Sequence, residues 1–231
     1  MNYARPESMG YIHGEKDLLK CPPRFIAEYK YNGWAVGISP DKVETRHGKP
    51  LCPIIAERAR ANIEKVRSMI DWDFCSMVHA ELLCITERAC PKDTIIVHDC
   101  MGGYSSECYL SDRQTFMWFL PPLMFHGGNL MKPYLQEGEL RMDGGDSWDG
   151  ESGGVWRPKR VRFYEHDDHG HSPDHLSALK EMLRFNAISG ELFYEGFVYK
   201  KTSAHYGARN AWFKHRIQNQ ILKYKEEEIY A

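Results

Sequence analysis

Lys30 closes an apolar-rich run, Phe25-Ile26-Ala27-Glu28-Tyr29-Lys30, and Asn32-Gly33 follows at once. A lysine at a strand end can face a cleft, and a glycine three residues on lets a ligand approach the backbone. A buried lysine that sheds its proton is a nucleophile. The same residues also fit a plain hairpin, because Asn-Gly is a strong turn signal. Further charged residues stand where core strands should be apolar. Glu81 lies in Val78-His79-Ala80-Glu81-Leu82-Leu83, Glu195 opens Glu195-Gly196-Phe197-Val198-Tyr199-Lys200, and Lys214 and Arg216 alternate in Trp212-Phe213-Lys214-His215-Arg216. Alternation puts Lys214 and Arg216 on one sheet face. Buried charge is costly unless paired or ligand-bound. An edge strand with one wet face accounts for any one of these residues; jointly they predict a nucleotide site. In it Lys200, Lys214 and Arg216 neutralise phosphate oxygens. Glu81 and Glu195 hold a ribose hydroxyl or a hard cation such as Mg2+. Neighbouring cations free the Lys30 lone pair for attack by like-charge repulsion.

The elements that must carry these residues alternate irregularly, without a βαβ rhythm. Phe25–Lys30, Trp34–Ser39 and Lys42–Arg46 read as short strands separated by Asn-Gly and Pro-Asp turns. Ile55, Ala59, Ile63, Val66 and Ile70 repeat at helical spacing and predict one helix from Pro53 to Ile70. Met77–Cys84 and Thr94–His98 read as buried strands, and Ser111 as the cap of a second helix. A glycine-rich, carboxylate-rich insertion is expected near 121–156. The cation-dense run Arg157-Pro158-Lys159-Arg160-Val161-Arg162 follows it. Asp174–Phe185 reads as a third helix, Phe193–Lys200 and Ala211–Arg216 as the last strands, and 217–231 as a charged helical tail. The pattern predicts an α+β fold of two packed, mostly antiparallel sheets flanked by helices, with a cleft as the default ligand site.

Composition narrows the class. The chain has 231 residues, 42% hydrophobic, enough for one large domain or two small ones. No run approaches the roughly 20 apolar residues of a membrane span. The first residues lack a basic-then-apolar signal peptide. The seven cysteines contain no CxxC pair, which favours neither a disulfide framework nor a zinc ribbon and fits a reducing cytoplasm. A net charge of −2 does not announce a nucleic-acid binder, although a local basic patch is compatible with it. The histidines of Glu165-His166-Asp167-Asp168-His169-Gly170-His171, with His175 nearby, have spacings compatible with zinc or nickel, but with no rigid element or cysteine to join them a polar loop is the favoured reading.

In order and spacing these segments resemble the covalent nucleotidyltransferases: ATP-dependent DNA ligases, RNA ligases and mRNA capping enzymes. Lys30-Tyr31-Asn32-Gly33 is similar to their Lys-x-Asp-Gly motif and Thr45-Arg46-His47-Gly48 to Arg-x-Gly. His79-Ala80-Glu81-Leu82 stands for Asp-Gly-Glu-Leu, and Val97-His98-Asp99 for an aromatic-Asp strand. Glu195 to Lys200 matches Glu-Gly-x-x-x-Lys, and Trp212-Phe213-Lys214-His215-Arg216 matches Trp-x-Lys-x-Lys. Ala27–Gly33 differs only at Asn32 from the DNA-ligase form of the first motif. The stretch from Ser203 to Trp212 resembles the Tyr…Gly…Arg…Trp segment that DNA ligases place before their last motif. DNA ligase is therefore favoured over RNA ligase. A guanylyltransferase is disfavoured because Glu28 matches the residue that reads the adenine amino group.

The resemblance implies an ATP-grasp-like adenylation domain over 1–216. Lys30 would attack ATP, with Glu28 on adenine, Arg46 at the sugar-phosphate and His98 stacking on the base. Glu81 would hold ribose or Mg2+, Glu195 would place Mg2+, and Lys200, Lys214 and Arg216 would clamp the α-phosphate. Nicked duplex, DNA rather than RNA, is the implied partner. Arg157, Lys159, Arg160, Arg162, Lys201 and Arg209 would meet its phosphates, or else form a solvated charged face. The tail at 217–231 would lead to an OB-fold domain, on a longer chain or a separate protein, unless this is a natural minimal enzyme. An intracellular, cytoplasmic setting follows from the cysteine usage, and by analogy the short length suggests a viral, phage or otherwise pared-down source. Three positions depart from the pattern. Asn32 keeps the shape of the usual aspartate and loses its charge, His79-Ala80 replaces Asp-Gly, and Trp34-Ala35 stands where many DNA ligases carry an arginine. Asn32 leaves open a non-catalytic nucleotide- or nick-binding module.

Overall fold

The structure, a computed structural model, describes residues 5–18, 25–83, 93–113, 155–156 and 173–218. Two sheets with helices beside them make an α+β fold. They belong to two compact units, and the chain passes between them at Asn32–Gly33 and again around the short segment Ala204–Gly207.

The five-stranded unit contains β3 (Trp34–Ile38), β4 (Val43–Thr45), β5 (Met77–Leu83), β6 (Thr94–Met101) and β7 (Val155–Trp156), in the order β4-β3-β5-β6-β7. All its pairings are antiparallel except β6–β7. Ser39 and Lys42 close the β3–β4 turn with a 3.0 Å hydrogen bond. The single helix expected over Pro53–Ile70 is two, α2 (Pro53–Arg58) and α3 (Arg60–Met69), broken where Ala59 leaves helical geometry at φ −84°, ψ 4°. Hydrogen bonds from Ala59 N to Ile55 O and from Ile63 N to Ala59 O bridge the break. The apolar stripe therefore continues, and Ala59, Ile63, Val66 and Ile70 pack with Val36, Ile38, Val78, Ala80, Leu82, Ile95 and Val97. The second expected helix opens at Leu110, so Ser111 lies inside it and is not its cap.

The four-stranded unit contains β1 (Glu7–Ile12), β2 (Phe25–Tyr31), β8 (Tyr194–Lys201) and β9 (Trp212–Ile217), in the order β1-β9-β8-β2. Only β1–β9 is parallel. Strand β1 was not legible in the sequence: Glu7-Ser8-Met9-Gly10 has neither an apolar run nor clean alternation. Its pairing with β9 is the most non-local in the sheet. One face of this sheet is aromatic. Tyr29, Tyr31, Phe197 and Tyr199 are buried with Phe193 and Tyr194, against Ala178, Leu179, Met182 and Phe185 of α4 (Pro173–Ser189). Tyr29 also ties β2 to that helix by donating to Glu181 Oε2 at 2.9 Å.

The Asn-Gly pair is not a hairpin, since β2 pairs with β8 whereas β3 pairs with β4 and β5. Gly33 is needed for close packing. A Cβ there would lie 2.7 Å from Leu82 O and 2.8 Å from Glu81 Cγ. Among the described residues no helix is long and apolar enough to cross a membrane. Of the insertion expected near 121–156, Val155–Trp156 form β7 and the rest lies outside the described residues, as do Arg157, Lys159, Arg160, Arg162 and the segment 165–171; of the tail expected over 217–231, Ile217 ends β9 and the part beyond 218 lies outside them too.

Candidate functional site

The face opposite the aromatic core carries the charge. Ile26, Glu28 and Lys30 alternate onto it from β2. Their β8 partners are Lys200, Val198 and Gly196, whose β9 partners are Trp212, Lys214 and Arg216. Six expected site residues of this unit thus fall on a single face or at its edge: Glu28, Lys30, Glu195, Lys200, Lys214 and Arg216.

Strict alternation would turn Glu195 away. It does not, because the register slips between Lys30 and Tyr31: Lys30 pairs with Gly196 and Tyr31 with Tyr194, leaving Glu195 as the extra residue of a bulge. Bulges re-aim side chains in this way. Gly196 is indispensable to it, with φ at +130° and a would-be Cβ only 2.1 Å from His215 O. As a result Glu195 Oε2 pairs with the Lys30 ammonium, and Arg216 Nε stands 3.8 Å from the same oxygen. Lys30 Nζ also reaches Tyr31 O at 3.4 Å. The lysine and the carboxylate are each about one-fifth exposed, at 18% and 20%. The charged group that Lys30 touches is therefore a carboxylate, whereas the sequence surrounded it with cations.

A second pair lies deeper. Lys200 Nζ contacts Glu28 Oε2 at 2.6 Å with both side chains buried, and stands 4.7 Å from the Trp212 ring. A desolvated ion pair tolerates loss of one partner poorly. Asn32 is also engaged. Its Nδ2 donates to Leu192 O and its backbone N to Phe193 O, both at 2.9 Å. The residue expected to affect the chemistry acts here as a tie between strand ends. Lys201 falls on the opposite face from Lys30, paired with Phe25, and Arg209 is exposed in the turn before β9.

The remaining expected residues belong to the five-stranded unit. Arg46 is exposed after β4, its backbone N bonded to Ala35 O at 3.2 Å. Glu81 is half-buried in β5, flanked by Ala35 and Ile96. His98 is the extra residue of a bulge in β6, its ring 6.1 Å from that of His79. His79 Nδ1 in turn meets Tyr206 Oη at 3.1 Å. The sequence did not anticipate the buried Arg113–Asp99 pair at 2.8 Å, in which Arg113 also donates to Cys108 O and Ala204 O. A charged residue in a helix start gives no signal of burial.

His175 is a core residue. It packs 5.6 Å from the Phe197 ring and 6.0 Å from Tyr199, and burial pushes its imidazole down to about 4. Among the described residues no three His, Cys, Asp or Glu side chains converge on a metal position. For Mg2+ the fit is of another kind. That ion is commonly held by one or two carboxylates together with substrate phosphates, and Glu195 on the charged face is such a carboxylate.

Neither protein-family profiles nor curated proteins match this sequence. The structure is similar to solved DNA ligase structures. It is similar to a Lig E DNA ligase, described as binding DNA with a minimal scaffold, at 12% identity and TM-score 0.46, covering 93% of this chain and 69% of that one. The ligase domain of M. tuberculosis LigD gives 12% identity and TM-score 0.49, with 91% and 59% covered. Chlorella virus DNA ligase-adenylate gives 10% identity and TM-score 0.47, with 88% and 62% covered. The chain thus spans from 59% to 69% of these three lengths. At such values the likeness assigns no role to any residue of this chain.

Proposed function

We propose that the charged face of the four-stranded unit is the adenylation site of an ATP-dependent polynucleotide ligase core, with DNA the favoured substrate. The observation that carries this is the bulge at Glu195–Gly196, which sets a lysine amine, a carboxylate and a guanidinium together on one sheet face. The ordered sequence motifs support it independently.

Lys30 Nζ, oriented by its contact with Glu195, loses one proton to solvent and attacks the α-phosphorus of ATP, and the second proton shed as the P–N bond forms leaves with pyrophosphate. The bond from that phosphorus to the bridging oxygen breaks, pyrophosphate leaves, and AMP stays on Lys30 as a phosphoramidate. The 5′-phosphate of a nicked strand then takes the AMP, and the 3′-hydroxyl displaces it. Catalysis of such transfers rests on positioning and charge neutralisation. Arg216 and Lys214 supply positive charge on the face, and Glu28 reads adenine while held by Lys200. Mg2+, when bound, would neutralise phosphate charge, and Glu195 would hold it on the charged face; Glu81 of the five-stranded unit remains a candidate for ribose or metal. Arg46 and His98 of the five-stranded unit remain candidates for sugar-phosphate and base contacts, and exposed Arg209 for a DNA phosphate. Arg157, Lys159, Arg160, Arg162 and Lys201 remain candidates for the same contact.

A non-catalytic nucleotide- or nick-binding module is the second reading, favoured by the structural use of Asn32. Incubation with Mg2+ and ATP labelled at the α-phosphate separates the two. A covalent label that survives denaturation and vanishes in Lys30→Ala is expected. Absence of label, or label persisting in Lys30→Ala, overturns the enzyme. Transfer of the label to nicked DNA but not nicked RNA decides the substrate.

A further inference from the structure

Strand β1 adds a residue to the charged face that the adenylation motifs do not include. Its register against β9 slips: Ser8 pairs with Lys214 and Tyr11 with Arg216, so three steps on β1 match two on β9. Gly10 absorbs the extra residue at φ +94°, its N bonded to Ser8 Oγ at 3.2 Å. Without that slip, alternation would send Tyr11 to the aromatic face and Ile12 to the charged one. With it, Ile12 is fully buried and Tyr11 joins Arg216. Lys30, Gly196, Arg216 and Tyr11 then form one row across the four strands. At about 4.8 Å between strands the row spans about 14 Å.

Tyr11 is unusually open for an aromatic residue of this sheet, at 51% exposure, and the Arg216 side chain is 41% exposed. Among the described residues, Arg216 Nε is buried without a hydrogen bond and approaches Glu195 Oε2 at 3.8 Å. A phenol donor beside a guanidinium is a fitting pair for a phosphate oxyanion, because charge-assisted hydrogen bonds are the strong ones. We propose that Tyr11 and Arg216 together form a phosphate-binding pair at the far end of the row that begins at Lys30. Tyr11 is thus a binding residue for the phosphates that the proposed adenylation site handles, and to that extent rests on it. Two sources share this chemistry: the departing pyrophosphate portion of ATP, and the terminal 5′-phosphate of a nicked strand.

Tyr11→Phe removes the hydroxyl and keeps the ring; its urea midpoint should match the parent. Loss of one such hydrogen bond is worth roughly tenfold in binding. About a tenfold higher KM for ATP in lysine-AMP formation, with transfer from preformed adenylate unchanged, identifies the pyrophosphate portion. About tenfold slower transfer to a nicked duplex, with adenylation unchanged, identifies the strand phosphate. Equal rates in both steps, in a protein whose parent adenylates, overturn the pair. If the parent does not adenylate, the enzyme reading fails on its own, and inorganic tripolyphosphate becomes the probe. Weaker calorimetric binding to Tyr11→Phe than to the parent then supports the pair, and equal or absent binding overturns it.

Discussion

Asn32 shows how a residue can look catalytic and act structurally. Its amide donates to Leu192 O at 2.9 Å, a bond that an aspartate cannot make. Asn32→Asp would aim a carboxylate oxygen at a carbonyl. We expect it to lower stability by about 1–2 kcal/mol in urea unfolding, not to raise adenylation. The Glu28–Lys200 pair carries a related warning. Both side chains are buried, so Lys200→Ala leaves a carboxylate uncompensated and should cost about 3–5 kcal/mol. Any loss of activity in that variant needs an unfolding curve beside it.

Elements, rather than residues, decide which charges meet. The β8 bulge depends on Gly196, and Gly196→Ala puts a methyl against His215 O in a backbone region that L side chains avoid. We expect the variant to lose lysine-AMP formation at least as fully as Glu195→Gln, with Lys30 itself untouched; intact-mass detection of the adenylate checks this. Helix α4 supplies a pH dependence. Burial holds His175 at about 4, below its unfolded value near 6.5. The unfolded chain therefore takes the proton first, so stability is full above pH 6.5 and falls as pH drops toward 4. At pH 5 the loss is about 2 kcal/mol. His175→Gln should remove most of that dependence, as read from urea midpoints at pH 7.5 and 5.

At the scale of the molecule there are two cores, one aromatic and one aliphatic. The aromatic one seats the charged face from behind. Phe197→Ala should cost about 3–5 kcal/mol, since the ring is fully buried against Tyr29, Tyr199 and His175. Hydrogen exchange should then rise first in β2, β8 and β9, before β5 and β6. Exchange rising equally in both sheets would show that the cores open as one.

Much of this was legible in the chain. Hydrophobic alternation gave β2, β3, β5, β6, β8 and β9 to within a residue or three, and helical spacing gave the stripe through Ala59, Ile63 and Val66. These are local signals, set by side-chain type at period two or 3.6. What the sequence determined by itself was therefore the chemistry available: a lysine at a strand end, carboxylates and cations inside apolar strands. Only tertiary structure decided which of them meet. Strand β1 exists through pairing with residues some two hundred positions away, and the slips at Gly10 and Gly196 turn Tyr11 and Glu195 onto the face that Lys30 occupies. Register depends on partner strands, and a one-residue slip exchanges the faces of every residue beyond it. Lys30 was visible as a reactive residue in the sequence; its carboxylate partner became visible only with the bulge.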